Sequence, residues 1–284
     1  VASRPEGTAG GSCVDDPLHW GTMSEARPCR QVAVIMRREP IVGAMSRWQT
    51  HRWVLENVVL AGEASDILVE KTMKAFDVPG IAVAVVKDGK VIHSKGYGVR
   101  SIITKQKVDG YTLFGIASNS KSFTAAALAI LADEGKLDWD DKVVKYIPEF
   151  KMYNSYVTDE FTIRDLLTHR SGLGLGAGDL MIWPDGSDFT AQDIVQNLQY
   201  LKPVSAFRTK YDYDNLLYIV AGEVVARVSG KTYDEFIESR IMQPLGMNKT
   251  AASWYRLKDK SNIIDGHAPY QGKLLPVGLS FGEF

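Results

Sequence analysis

Cysteine is almost absent from this chain: two occur in 284 residues, Cys13 and Cys29, both within the first thirty. Two cysteines in one short stretch exclude a disulfide scaffold and a cysteine-based metal site, leaving at most one bridge between them. An excess of one charge is missing too. Thirty-three Lys and Arg balance thirty-four Asp and Glu, a net charge of −1. With no basic stripe, neither nucleic acid nor an anionic membrane surface is an expected partner. No apolar run approaches the roughly 18 residues of a membrane span. The leading segment also lacks a basic stretch followed by an apolar core of signal-peptide length, Val32–Met36 being far too short. The first residue is Val rather than Met, so the natural start is expected to lie elsewhere.

What is present is ordinary for a globular protein: 45% apolar and 24% charged residues, in a chain long enough for one large domain. Residues 1–60 show no sustained helical or strand period and read as a poorly structured leading segment. Residues 61–284 read as one folded domain. Val69, Met73 and Phe76 make a helical stripe ending before Pro79. Two β-rich runs, 81–87 and 90–97, flank Asp88-Gly89, the strongest short-range signal for a hairpin. Phe123, Ala127, Ile130 and Leu131 recur at helical spacing, with Gly135 as the stop. Thr162-Ile-Arg-Asp165, Thr190-Ala-Gln-Asp193 and Thr232-Tyr-Asp-Glu235 each set a hydroxyl three residues before an acid, the pattern of a capping box. Leu217, Val220, Val224 and Val228 form a further stripe closed by Gly230. Beyond residue 250 strands are few, and Lys273-Leu-Leu-Pro-Val277 is the best candidate. The expected fold is α+β, a helical lobe packed on an antiparallel sheet that looks incomplete at its C-terminal side.

One segment carries chemistry. In Ser118-Asn119-Ser120-Lys121 a serine and a lysine stand three residues apart where a strand-like run passes into a helix. On a helical face that spacing brings an amine within one turn of a hydroxyl, which activates a serine without histidine. Ser and Lys are common, so about one chance match is expected in a chain of this size. A second constellation, Tyr213-Asp214-Asn215, stands just ahead of the Leu217 stripe. Cationic neighbours would favour the Tyr213 phenolate and let it carry protons. Asn215 could donate its amide to a substrate or hold Lys121 through its carbonyl.

Together these motifs resemble those of the penicillin-recognising serine hydrolases, the branch of class C β-lactamases, D-alanyl-D-alanine carboxypeptidases and related esterases. The resemblance runs from about Asp66 to Met247. It rests on Ser118-x-x-Lys121 with Ser-Phe-Thr-Ala after it, Ile163-Arg-Asp-Leu-Leu-Thr-His-Arg-Ser-Gly-Leu173, Tyr213-x-Asn215 and Pro244-Leu-Gly-Met247. It implies a β-lactamase/transpeptidase-like fold in which Ser118 forms an acyl-enzyme and Lys121 and Tyr213 relay protons. Asn215 would be the orienting amide and the substrate an ester or amide: a β-lactam, a D-amino-acid peptide or a small ester. It implies no cofactor and no metal, and a periplasmic or secreted location. It also implies a third motif, Lys-Thr-Gly or His-x-Gly, on a later strand that supplies one of two oxyanion donors. No such motif stands between Asn215 and Phe284. Loss of one donor costs on the order of 10²–10³ in rate elsewhere, so the alternative is an impaired fragment or a non-catalytic relative that binds acyl ligands. Oligomeric state is not legible.

Other residues invite competing readings. His169 suggests histidine-dependent catalysis, but a packed, hydrogen-bonded histidine is the expectation. The run Gly172-Leu-Gly-Leu-Gly-Ala-Gly178 fits no phosphate-loop pattern and reads as a loop, with Asp179 and Trp183 near a pocket. Gly278-Leu-Ser280-Phe-Gly282 matches the nucleophile elbow, yet four residues leave no room for a following acid and histidine. Asn248-Lys-Thr250 is a formal glycosylation sequon.

Overall fold

The computed structural model describes residues 32–34, 63–183 and 188–277. Its first long element is helix α1 (Glu63–Ala75), followed by strands β2 (Gly80–Lys87) and β3 (Lys90–Gly98). The two strands pair antiparallel as the sequence predicts, with a bulge between Val85 and Val86. Asp88 and Gly89 both have positive φ (51° and 73°), the twist a two-residue hairpin needs. A three-residue strand β1 (Val32–Val34) adds to the other edge of β2, pairing Val32 with Val85. It falls within the leading segment read as poorly structured. Its place comes from β2, since three residues carry too little pattern to signal a strand.

The middle of the chain is helical: α2 (Ser120–Asp133), α3 (Ser155–Glu160), α4 (Ile163–Leu167), α5 (Ala191–Asn197), α6 (Leu216–Ser229) and α7 (Tyr233–Ile237). All three expected capping boxes form. Thr162, Thr190 and Thr232 each accept from the backbone N–H three residues on, and the acid there accepts from the threonine's own N–H. Each box satisfies two N–H groups that a helix start leaves without partners. Two last strands, β4 (Gly266–Tyr270) and β5 (Lys273–Val277), make a separate hairpin. It is joined to the body where Leu113 bridges Ile263.

Among the described residues the apolar interior falls into two clusters. The larger belongs to the helices, with α6 at its centre: Leu216, Leu217, Val220, Val224 and Val225 are fully buried there. Helices α2, α4, α5 and α7 all pack against α6. The smaller is Ile81, Val83, Val85 and Tyr97 of the sheet, covered by Val69 and Met73 of α1.

Candidate active site

Ser118 lies in a single 3₁₀ turn, Ala117–Asn119, that leads directly into α2. Ala117, immediately before it, adopts φ 45°. A left-handed alanine costs about 1–2 kcal/mol. Ser118 itself is exposed. Lys121 follows in the first turn of α2. Because α2 packs on α6, the residues entering α6 meet those entering α2. Tyr213 Oη donates to Ser118 Oγ at 2.7 Å. Lys121 Nζ donates to Ser118 Oγ at 3.2 Å and to Asn215 Oδ1 at 2.8 Å. The four residues expected from the sequence are therefore gathered in one place, Tyr213 and Lys121 on the Ser118 hydroxyl and Asn215 on Lys121.

The Tyr213 segment is held from behind. The Asp212 N–H donates to His169 O, and the Asp214 N–H donates to His169 Nδ1 at 3.2 Å. The Gly176 N–H donates to Tyr213 O. The His169 ring is buried and stacks on Tyr213, with centroids 4.5 Å apart, and leans on Tyr218. Burial first, then the Lys121 charge, holds its pKa below the usual histidine value. It is a neutral packing residue, as the sequence suggests, and its accepting Nδ1 leaves the proton on Nε2. Lys121 Nζ stands over the rings of Tyr213 and Tyr218 at 4.8 and 5.3 Å, a favourable setting for a cation. Tyr218 donates its hydroxyl to Leu167 O, and burial raises its pKa.

Two acids that sequence reasoning left aside belong to the same neighbourhood. Asn215 Nδ2 donates to both oxygens of Asp179, at 3.0 and 3.2 Å. The sequence placed Asp179 only near a pocket; its one signal was its position at the end of the glycine run. Asp214 is fully buried between the two site residues. Its Oδ1 accepts from the Leu217 N–H at the start of α6, and its Oδ2 has no partner among the described residues. Burial pushes this carboxyl up to about 6, the Asp179 charge adding to the effect and Lys121 opposing it.

Chemically, the arrangement offers an exposed hydroxyl between a phenol and an amine, with an amide carbonyl anchoring the amine. Among the described residues no group of His, Cys, Asp and Glu is placed to hold a metal ion. None of the described helices is long and apolar enough to cross a membrane. The Gly278–Gly282 elbow, like Cys13 and Cys29, lies outside the described residues.

Comparison with known proteins gives this geometry a family. The family model described as Beta-lactamase matches residues 66–262. Protein flp of Staphylococcus aureus (strain MW2) is 30% identical over 214 residues, 70% of this chain and 40% of that protein. Unguisins hydrolase ungD' of Aspergillus campestris (strain IBT 28561) is 33% identical over 195 residues, 66% of this chain and 35% of that one. The octameric penicillin-binding protein homologue from Pyrococcus abyssi superposes with a TM-score of 0.66 at 29% identity, covering 75% of this chain and 49% of its own. The chain thus spans less than half the length of each of these relatives. With its motifs in order, its α+β fold of the β-lactamase/transpeptidase type and a match across residues 66–262, the chain belongs to the β-lactamase family.

Proposed function

We propose that this chain is a serine hydrolase that opens an ester or amide through an acyl-enzyme on Ser118. The observation that carries the reading is the 2.7 Å approach of Tyr213 Oη and the 3.2 Å approach of Lys121 Nζ to one exposed serine oxygen. A serine hydroxyl is a poor nucleophile until a neighbouring base takes its proton. The tyrosine–lysine pair is that base when it has given up one proton itself. The Ser118 O–H bond breaks towards the pair and the Oγ–carbonyl carbon bond forms. The bond to the leaving alcohol or amine then breaks, and the leaving group takes up the same proton. Water next gives a proton to the pair and attacks the acyl carbon; the Oγ–carbon bond breaks, Ser118 Oγ takes that proton back, and the acid leaves. The hydrolase name of one relative and the family match support the reaction class. The exposure of Ser118 suits an external acyl donor.

The test is intact-mass labelling with a fluorophosphonate, comparing the wild-type chain with Ser118→Ala. A single adduct that disappears in the variant is the expected result. A chain folded by circular dichroism that takes no adduct would overturn the proposal and leave a binding protein of the same fold. Esters, β-lactams and D-amino-acid amides offered to the labelled-positive chain would then separate the substrate classes.

A further inference from the structure

Asn215 can perform only one of two jobs at a time. Its carboxamide has an oxygen that accepts and a nitrogen that donates, and a half-turn about the last bond exchanges them. Lys121 Nζ, an ammonium donor, needs the oxygen; facing the nitrogen, it would lose its partner. The orientation is fixed on the far side by Asp179, whose carboxylate can only accept while ionised. Both Asp179 oxygens accept from the Asn215 NH₂, at 3.0 and 3.2 Å, while Asn215 Oδ1 accepts from Lys121 Nζ at 2.8 Å. Donor and acceptor demands from the two sides agree on one orientation.

The glycine run explains how Asp179 gets there. Gly178 has φ 77° and caps the 3₁₀ turn Asp179–Met181. A Cβ on it would lie 2.3 Å from Leu216 Cδ1 at the start of α6. The left-handed φ favours glycine here, and a side chain would also have to displace that of Leu216, the residue after Asn215. The Gly176 N–H is bonded to Tyr213 O, and the Asp179 N–H to Gly176 O, so the loop is tied to the site before it delivers the acid.

We infer that Asp179 is a positioning residue that locks the Asn215 carboxamide so that its oxygen holds Lys121 against Ser118. This rests on the hydrolase reading for its kinetic consequence, but not for the geometry. The experiment is a double-mutant cycle on the rate of fluorophosphonate labelling, with Asp179→Ala, Asn215→Ala and both together. Side-chain amide NMR of Asn215, assigned by the signals lost in Asn215→Ala, runs in parallel. Asp179→Ala should slow labelling by about ten-fold or more, the worth of one hydrogen bond of roughly 1.4 kcal/mol. In the Asn215→Ala background it should slow labelling no further, because there is no amide left to orient. The exchanged pair Asp179→Asn with Asn215→Asp, which again places an acceptor on Lys121, should label faster than Asn215→Asp alone. The Asn215 amide signals should shift and exchange faster with solvent in Asp179→Ala. Equal labelling in Asp179→Ala and wild type, or additive losses in the cycle, would overturn the inference. If wild type takes no label, the hydrolase proposal falls, and unchanged Asn215 amide signals in Asp179→Ala would separately overturn the lock.

Discussion

Asp214→Asn should make the protein more stable at neutral pH, and by an amount that grows as pH rises. The carboxyl is fully buried, one oxygen has no partner, and burial carries its pKa from 3.8 to about 6. Between those two values the folded state keeps a proton that the unfolded chain has lost. Stability therefore falls as pH rises through that window. The full shift corresponds to about 3 kcal/mol at 1.36 kcal/mol per pKa step. About 1 kcal/mol of it is already lost by pH 4.5, so the change from about pH 4.5 to about pH 7.5 is roughly 2 kcal/mol. Asparagine is an isostere of the neutral acid: its oxygen can still accept from the Leu217 N–H, and its nitrogen stands where the acid's O–H stood. The variant escapes the pH term and keeps the cap. Urea unfolding of both proteins at four pH values gives the difference directly. His169 tilts the wild-type curve in the opposite sense, since its depressed pKa costs stability as pH falls below about 6.5. That slope is common to both proteins and cancels in the comparison. A stability gap that stays constant with pH, or narrows as pH rises, would refute the reasoning.

Three further outcomes follow from other parts of the molecule. The His169 ring should titrate below the ordinary histidine midpoint when followed by NMR, and a midpoint at or above about 6.5 would contradict its burial beside Lys121. Ala117→Gly should raise stability by about 1 kcal/mol by relieving the left-handed alanine, while slowing the labelling of Ser118; a loss of stability would show that the turn is not strained. Thr232→Ala should cost about 1 kcal/mol, the usual worth of an N-cap, in thermal unfolding, because the Glu235 N–H loses its acceptor; an unchanged midpoint would mean that water replaces the cap without cost.

The features legible in the sequence are those whose causes are local. A capping box is decided within four residues, and a type I′ hairpin by the two residues at its tip, so Thr162, Thr190, Thr232 and Asp88-Gly89 announce themselves. The α6 stripe does so too, because Leu217, Val220 and Val224 recur with the helical period and all end up buried. Ser118 and Lys121 were legible as one turn of helix. Their meeting with Tyr213 and Asn215 was expected from the order of the motifs, and the packing of α2 on α6 provides it. Asp179 was not legible as a partner of Asn215, because that contact closes thirty-six residues of chain and depends on a backbone approach that no side-chain pattern encodes. Asp214 was hidden for a different reason: its burial is a property of how α6 packs, and a polar residue between two site residues looks like another surface acid.

The division of the interior into two clusters has a consequence for how the molecule fails. Ser118, Lys121, Asp179, Tyr213 and Asn215 all belong to the segments that surround α2 and α6, and none of them to the sheet or to α1. The sheet and α1 hold a small apolar cluster of their own, which predicts that they open as a cooperative unit separate from the helices. Its amides should exchange with solvent through partial openings that leave the helical unit, and the five side chains gathered on it, intact. Slow erosion by proteases or denaturant would then reach the serine last.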